Sequence, residues 1–278
     1  MPSKSRDKKA TYCVIKINKW ETKNKIPIGQ IEKIIGPVGD LNHEIDMLLY
    51  HSQVYPKKNK TKYLKDSSNV AMSSSCHPIA PYNTYSIDPK GCKDIDDAIH
   101  YIENKTDGIV EIGIHIANVA RYIETLDTSF YSTVYLDNRQ INMLDDKITY
   151  DICSLGHGEP KKALSLILTY KVDSLELVKH EFRETIVINT ALSYQKADSI
   201  ISSKKLDTHP IKNLHQFTIK LKKLEELPST KLVEHYMLLY NSLLAETLYK
   251  SNPNTILRTH KLSGYQLDDS SRVLDPKL

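Results

Sequence analysis

The stretch from Tyr85 to Ile99 constrains this chain more than any other, because it places four carboxylates among residues that favour burial. The spacing is D-x5-D-x-D-D, and the carboxylates belong to Asp88, Asp94, Asp96 and Asp97. Neighbours such as Ile87 and Ile95 draw these aspartates partly inside. Burying several like charges costs several kcal/mol per ion unless a cation neutralises them. The stretch therefore predicts a bound divalent cation with oxygen ligands.

The residues around the aspartates bear on which cation is expected. A calcium loop of the type D-x-[DN]-x-[DN]-G needs a glycine where this chain, counted from Asp94, has Ile99. Magnesium or manganese fits better, since either needs only a few carboxylates plus water and a substrate phosphate. One alternative stays open on spacing alone, in which the aspartates cap and solvate a turn that follows a strand.

Alternating and β-branched runs predict the strands. Thr11–Ile17 and Pro27–Gly36 are expected to form two strands with Trp20 near their turn, as part of a small barrel. The apolar run Ile109–Ala117 has too little polar alternation to face water, so it predicts a central strand that carries the site. Ala163–Val172 and His180–Asn189 predict a further antiparallel pair.

Helical periodicity appears in two places. Ile45, Leu48 and Leu49 predict a short helix over 42–50, and apolar residues at helical spacing dominate from Tyr194 onward. His115, inside the apolar strand, is interpreted as a core histidine with satisfied hydrogen bonds rather than a ligand. Together these patterns predict an α+β protein.

Charge is distributed unevenly along the chain. Residues 1–75 carry 14 Lys and Arg against 7 Asp and Glu, residues 76–200 carry 12 against 19, and residues 201–278 carry 12 against 8. Basic segments on either side of an acidic one suit a polyanion steered towards a carboxylate-held metal. Lysines that simply solvate loops are an equally good interpretation of any single position.

Other features limit the class of protein. No run approaches the roughly 18 apolar residues of a membrane span, and the basic N-terminus lacks the apolar core of a signal peptide. We therefore expect no membrane partner and take the cytoplasm as the default location. The four cysteines show no C-x-x-C pairing, so nothing indicates a zinc site or a disulfide framework.

Motifs in a fixed order resemble one family. They are Ser86–Pro89, Asp94–Ile99, His115–Ala120, Val134–Arg139, Met143–Leu144, Cys153–Leu155, Gly158–Glu159, Ala163–Ser165, Leu192–Tyr194, Leu232–Leu239 and Leu257–His260. Their order resembles the RNB catalytic domain of the ribonuclease II/R and Dis3 exoribonucleases. The segment from Ile15 to Asp40 is similar to the end of the cold-shock-type OB domain that precedes the RNB domain in that family.

The resemblance implies a domain plan and roles for single residues. It implies an OB-type remnant at 1–55, a basic and serine-rich linker at 56–75, and an RNB domain at 76–278 that combines a mixed or antiparallel sheet with helices. Asp88, Asp94, Asp96 and Asp97 match the family's catalytic, magnesium-holding aspartates. Tyr135 matches a tyrosine that stacks on an RNA base, although its neighbours alone favour a core residue. Glu234 matches a substrate-binding carboxylate on a helix.

This resemblance implies magnesium-dependent hydrolysis of single-stranded RNA from the 3′ end, releasing nucleoside 5′-monophosphates. Three positions depart from the family pattern: Asn118, Arg121 and Lys161. The family's Ser-Pro-Ile-Arg-Arg-Tyr segment, which supplies a catalytic arginine, does not occur, so a chain truncated at both ends is expected. The alternative is an inactive or split RNB-like RNA-binding module, completed by a second chain or a downstream fragment.

Overall fold

The computed structural model describes residues 10–20, 27–54, 61–63, 77–78, 84–125 and 132–259. These residues fall into two compact units, which are described separately below. The first contains the described residues within Met1–Thr61 and Leu126–Leu144, and the second contains those within Lys62–Thr125 and Asp145–Leu278. Apart from 61–63, the expected linker at 56–75 lies outside the described residues.

In the described part of the chain, most strands precede the helices, and three of the four α-helices follow the last strand. The strands are β1 (Thr11–Lys19), β2 (Ile28–Pro37), β3 (Lys62–Tyr63), β4 (His77–Pro78), β5 (Thr84–Asp88), β6 (Asp97–Asn104), β7 (Ile109–Ala117), β8 (Ile123–Thr125), β9 (Val134–Tyr135), β10 (Gln140–Ile141), β11 (Pro160–Lys171) and β12 (Leu177–Ser193). The α-helices are α1 (Leu41–His51), α2 (Tyr194–Ser202), α3 (Pro210–Lys222) and α4 (Ser229–Ser251). A 3₁₀ turn covers Val119–Arg121 and a π-helical turn covers Lys147–Cys153.

The first unit contains an antiparallel hairpin of β1 and β2, followed by α1. Asp40 begins the helix by accepting hydrogen bonds from the backbone nitrogens of Asn42 and His43, at 3.0 and 3.2 Å. Both predicted strands and the predicted short helix are confirmed. The same unit includes the small β9–β10 ladder, in which Tyr135 pairs with Gln140.

The second unit is organised around one sheet, with the strand order β11-β7-β6-β5-β12-β4. The long strand β12 pairs antiparallel with β11 through its first part and parallel with β5 through Asn189–Ser193, so the pairing of five strands closes on itself. The predicted central strand Ile109–Ala117 is confirmed, since β7 lies between β6 and β11. The predicted antiparallel pair is likewise confirmed within β11 and β12.

Helices cover one face of this sheet. Successive strand residues point to opposite faces, and the residues facing the helices form the main apolar cluster. It contains Ile99, Tyr101, Val110, Ile112, Ile114, Leu166, Leu168 and Tyr170 from the strands, with Leu214, Phe217, Leu232, Tyr236 and Tyr240 from α3 and α4. The α+β class and the helices expected after Tyr194 are confirmed. No helix in the described part of the chain has both the length and the apolar character needed to cross a membrane.

The opposite face of the same strands carries a buried polar group beside small and branched apolar residues such as Ala163, Ile167 and Val187. His115 is fully buried, with Nδ1 2.6 Å from Ser165 Oγ and Nε2 2.9 Å from Nδ1 of His100. Ser165 Oγ lies in turn 2.6 Å from Thr185 Oγ1. Burial lowers the pKa of His115 well below its usual value. His115 is therefore a core histidine with hydrogen-bond partners, as the sequence predicts.

Gly113 makes room for this pair of histidine rings. A Cβ added to Gly113 would lie 2.2 Å from His100 Cε1 and 2.9 Å from His115 Nε2. We expect Gly113→Ala to lower the free energy of unfolding by about 1–3 kcal/mol, because the buried rings must move. Urea denaturation measures this change. Gly156→Ala is the matched control, since a Cβ there meets nothing within 4 Å. Equal stability of the two variants would contradict this account of the core.

Candidate active site

Asp88 is the last residue of β5 and is positioned by the buried residue before it. Ile87 is 3% exposed and belongs to a cluster with Ala197, Ile200, Ile211 and Val233. Because side chains alternate along a strand, burial of Ile87 directs Asp88 to the opposite face. Its Oδ2 atom is buried without a hydrogen-bond partner. One carboxylate oxygen is therefore available to a ligand.

The loop between Asp88 and Asp97 is held by backbone contacts. Gly91 turns the chain with a φ of +88°, which favours glycine. The Ile95 nitrogen donates to Ser154 Oγ at 3.0 Å, and the Ile95 carbonyl accepts from the Leu155 nitrogen at 2.8 Å. The Asp96 carbonyl accepts from the Ala117 nitrogen at 2.9 Å. These contacts fix the loop to β7 and to the segment that precedes β11.

The apolar residues of the loop are buried as the sequence predicts. Ile95 is 6% exposed and packs in a second cluster. Its other members are Ala98, Ala117, Leu155, Ala163, Ile167 and Val187. Asp97 begins β6 in register with Ile116, and Asp94 Oδ1 lies 3.5 Å from Cys92 Sγ. Anchoring of Ile95 and Ala98 therefore draws the intervening Asp96 and Asp97 to the edge of the core.

The aspartates repel each other. Burial raises the pKa of Asp88, a hydrogen bond from Ser86 lowers it, and the charges of Asp96 and Asp94 raise it further. Partial desolvation and the charge of Asp94 raise the pKa of Asp96. For Asp97, burial together with the charges of Asp88 and Asp96 raises the pKa to about 7. The four side chains thus form one electrostatic cluster.

The carboxylates supply the oxygen donors that magnesium prefers. Across the described ranges, no three Asp, Glu, His or Cys side chains already surround a single point as metal ligands would. Magnesium does not need such a cage, since one or two carboxylates with waters and substrate phosphates suffice. The unpartnered Oδ2 of Asp88 and the mutual repulsion of the aspartates both fit a divalent cation. The assignment of individual ligands stays a prediction.

The two other predicted site residues lie in different surroundings. Tyr135 belongs to the first unit and is 72% exposed, so the core interpretation of this tyrosine is wrong. Its ladder is fastened within that unit by an ion pair between Arg139 and Asp46 and by a hydrogen bond from Asn138 to Asn42. Glu234 lies on the exposed side of α4, 2.5 Å from Lys231 Nζ. Their roles in substrate binding stay predictions.

Tyr194 is a further candidate site residue, and the sequence pattern alone did not identify it. It opens α2, directly after the residue paired with Asp88. Burial raises its phenol pKa, and the charges of Asp88 and Asp97 raise it further. The motif Leu192–Tyr194 was the available signal, but nothing in the local sequence links this tyrosine to aspartates about a hundred positions earlier.

The positions that depart from the family pattern make contacts of their own. Arg121 donates to Glu184 through Nε and Nη2 at 2.6 and 2.7 Å, and Arg121 and Asn118 both lower the pKa of that carboxyl group. Lys161 is buried, with Nζ donating to the Asp151 carbonyl and lying 3.1 Å from Glu159 Oε2. Each substitution is thus accommodated by a nearby acceptor.

The fold and the site together define an α+β protein with a cluster of aspartates between the end of β5 and the start of β6. The model of the RNB domain matches residues 78–224, and the model of the Dis3-like cold-shock domain 2 matches residues 2–53. The chain therefore belongs to the RNB family. The resemblance in the sequence and the expected OB-type domain are confirmed.

A curated relative belongs to the same family, and solved structures share the fold. The exosome complex exonuclease RRP44 homolog A of Arabidopsis thaliana is 30% identical over 212 residues, which are 69% of this chain and 22% of that protein. RNase R of Mycoplasma genitalium, solved with double-stranded RNA, has a TM-score of 0.69 at 14% identity, covering 87% of this chain and 51% of that one. Yeast Ssd1, described as a pseudonuclease, has a TM-score of 0.65 at 17% identity, covering 87% and 35%. The chain thus spans between a fifth and a quarter of the first curated relative.

The raised pKa of Asp97 predicts a pH-dependent stability in metal-free protein. A pKa near 7 in the folded state, above about 3.9 in the unfolded state, means that the native protein binds the proton more tightly. Stability therefore falls as pH rises from about 4 to 7 and stays reduced above that range. With a chelator at pH 8, we expect Asp97→Asn to raise the Tm by roughly 3–10 °C.

Thermal unfolding at pH 8 and at pH 4.5 checks this prediction. The gain from Asp97→Asn should shrink at the lower pH, because wild-type Asp97 is then protonated. Asp173→Asn, which removes an exposed carboxylate, is the control and should change the Tm little at either pH. If Asp97→Asn raises the Tm equally at both pH values, the charge of Asp97 is not the source of the gain and the prediction is wrong.

Proposed function

We propose that this chain carries the nuclease site of a 3′-to-5′ exoribonuclease that hydrolyses single-stranded RNA to nucleoside 5′-monophosphates, with magnesium or manganese as cofactor. The observation that carries the proposal is the electrostatically coupled cluster of Asp88, Asp94, Asp96 and Asp97 at the edge of the RNB-matched sheet. Structural aspartates do not need to be anchored together at this energetic cost.

The substrate class comes from the relatives and from the charge of the chain. The relative from Arabidopsis thaliana is an exonuclease by name, and another relative is named Ribonuclease R 2. The segments before and after the acidic region carry an excess of Lys and Arg, which suits an RNA backbone. A hydrolase acting on RNA is consistent with both observations.

The residues of this chain would hold and orient the reacting groups. Asp88, Asp94, Asp96 and Asp97 are the candidate ligands for the cation. A bound divalent ion supplies a water of lowered pKa and neutralises charge on the leaving 3′-oxygen. Backbone bonds from Ala117 and Leu155 hold the loop, so its carboxylates keep a fixed geometry. Raised aspartate pKa values indicate that cation binding relieves an existing repulsion.

Tyr135 and Glu234 are the proposed substrate-binding residues. The side chain of Tyr135 is 72% exposed, and stacking on a base contributes about 1–3 kcal/mol and tolerates any base. Glu234 is exposed and can accept hydrogen bonds, although Lys231 already pairs with it. The domain boundaries at 55 and 75 belong to the same proposal.

An inactive or split RNA-binding module is the second candidate function. The yeast pseudonuclease shares the fold, so the fold by itself does not establish catalysis. In this alternative a second chain or fragment supplies the arginine segment, and the aspartates bind a cation without cleavage. Product analysis separates the two candidates, because only the first generates nucleoside monophosphates.

We expect the purified chain to shorten a 5′-labelled single-stranded RNA stepwise in magnesium and to stop when a chelator is added. Asp97→Asn should lower the rate at least about 100-fold, because several kcal/mol of charge stabilisation are lost with a ligand. Resolving products by length and identifying nucleoside 5′-monophosphates by chromatography checks both points. Asp173→Asn is the control and should retain the wild-type rate. Intact RNA bound by wild-type protein would support the second candidate instead.

Tyr135→Ala should weaken binding of single-stranded RNA about 5–100-fold, which corresponds to the loss of one stacked base. Tyr135→Phe keeps the ring and should bind as the wild type does. Fluorescence anisotropy in the Asp97→Asn background measures this affinity while the RNA stays intact. If Tyr135→Ala binds as tightly as Tyr135→Phe, the tyrosine is not a stacking platform.

A further inference from the structure

Two buried polar residues lie behind the aspartate cluster. Ser86 on β5 and Asn189 on β12 are each 1% exposed. Asn189 Nδ2 donates to Ser86 Oγ at 2.9 Å and to the Leu155 carbonyl at 2.7 Å. Ser86 lies on the same strand face as Asp88, which follows it two positions later on β5. A chain of hydrogen bonds therefore connects Leu155, Asn189 and Ser86, and Ser86 is the neighbour of Asp88 on its strand face.

The partners of Asn189 determine the direction of these bonds. A backbone carbonyl only accepts, so the nitrogen of the Asn189 amide, and not its oxygen, must face Leu155. The same nitrogen faces Ser86 Oγ, so both amide hydrogens are used and Ser86 acts as an acceptor. The hydroxyl proton of Ser86 is then left to donate to another acceptor, and Asp88 is the neighbouring carboxylate on the same strand face. Ser86 also lowers the pKa of Asp88, which is the direction that donation to the carboxylate produces.

A proton donated by Ser86 would engage one side of the Asp88 carboxylate. Oδ2 of Asp88 is buried and has no hydrogen-bond partner, so it is the oxygen left for a cation. A carboxylate held at one oxygen cannot rotate freely, and its second oxygen keeps a fixed direction. Hydrogen-bond partners of this kind orient metal ligands and raise metal affinity.

We infer that Ser86 and Asn189 are positioning residues that hold Asp88 with Oδ2 directed towards the divalent cation. The inference deepens the proposed function and rests on it for the identity of the metal. The two hydrogen bonds of Asn189, however, belong to this chain's own residues and are present without a metal. Neither residue touches RNA in this assignment, and both act through Asp88.

The test measures magnesium binding without RNA. Differential scanning fluorimetry of the full chain across a magnesium titration gives an apparent Kd from the rise in Tm. We expect Ser86→Ala to weaken magnesium binding about 10–100-fold, with Asn189→Ala shifting it in the same direction. Ser86→Thr keeps the hydroxyl and should restore binding to within about threefold of the wild type.

Thr84→Val is the matched control. Thr84 lies two positions before Ser86 on the same strand face, is fully buried, and its Oγ1 has no hydrogen-bond partner. Removing that hydroxyl without changing the side-chain shape tests any general effect of a lost buried hydroxyl. We expect the magnesium affinity of Thr84→Val to match the wild type. The Tm of each variant in chelator shows whether it folds, and Asn189→Ala tests the inference independently if Ser86→Ala does not fold.

Each outcome is decisive. Unchanged magnesium affinity in a folded Ser86→Ala or Asn189→Ala, or equal weakening in Thr84→Val, overturns the inference. Weakened binding in both variants with rescue by Ser86→Thr supports it. If wild-type protein binds magnesium but does not hydrolyse RNA, the proposed function fails while the inference stands. Absence of magnesium binding by the wild type would overturn both.

Discussion

Mutual repulsion of carboxylates is the constraint on which the arrangement of the second unit depends. Two isoleucines fix the ends of the acidic loop in different parts of the core: Ile87 packs against α2, α3 and α4, and Ile95 packs with residues of β7, β11 and β12. Because both are buried, the aspartates beside them cannot separate. Packing energy thus offsets the electrostatic cost and holds the aspartates close together before any cation binds.

The strands that support this loop carry a buried polar network beside the smaller apolar cluster on one face, and the main apolar cluster on the other. His100, His115, Ser165 and Thr185 satisfy one another by hydrogen bonds in the interior, while the opposite face packs against α3 and α4. Buried polar groups of this kind are costly unless every member has a partner, and a satisfied network makes the surrounding sheet rigid. The aspartates extend from an edge of that rigid sheet.

Local patterns predicted those parts of the fold that depend on neighbouring residues. The apolar run Ile109–Ala117 and the alternating segments within β11 and β12 were recognisable as strands, and the periodicity after Tyr194 as helices. The change of partner along β12 was not predictable, since it depends on pairing with β5 about a hundred residues earlier. The attachment of Tyr135 to the first unit depends on an ion pair between Arg139 and Asp46, 93 residues apart.

The same distinction applies to the site. Spacing and flanking apolar residues identified Asp88, Asp94, Asp96 and Asp97 as one cluster, and the raised pKa values show that they interact. Tyr194 and the Ser86–Asn189 pair were not identified, because their relation to Asp88 arises only when β5 and β12 pair. Non-local contacts thus supply the groups that tune the aspartates, whereas the local sequence supplies the aspartates themselves.

The central claim is that these four aspartates bind a divalent cation. A crystal of the chain soaked in manganese, with anomalous diffraction data, tests it most directly because manganese scatters anomalously and substitutes for magnesium. The account predicts an anomalous peak within coordination distance of Asp88 Oδ2 and of at least one carboxylate among Asp94, Asp96 and Asp97. A well-ordered acidic loop with no peak there, or a peak elsewhere on the surface, would contradict it.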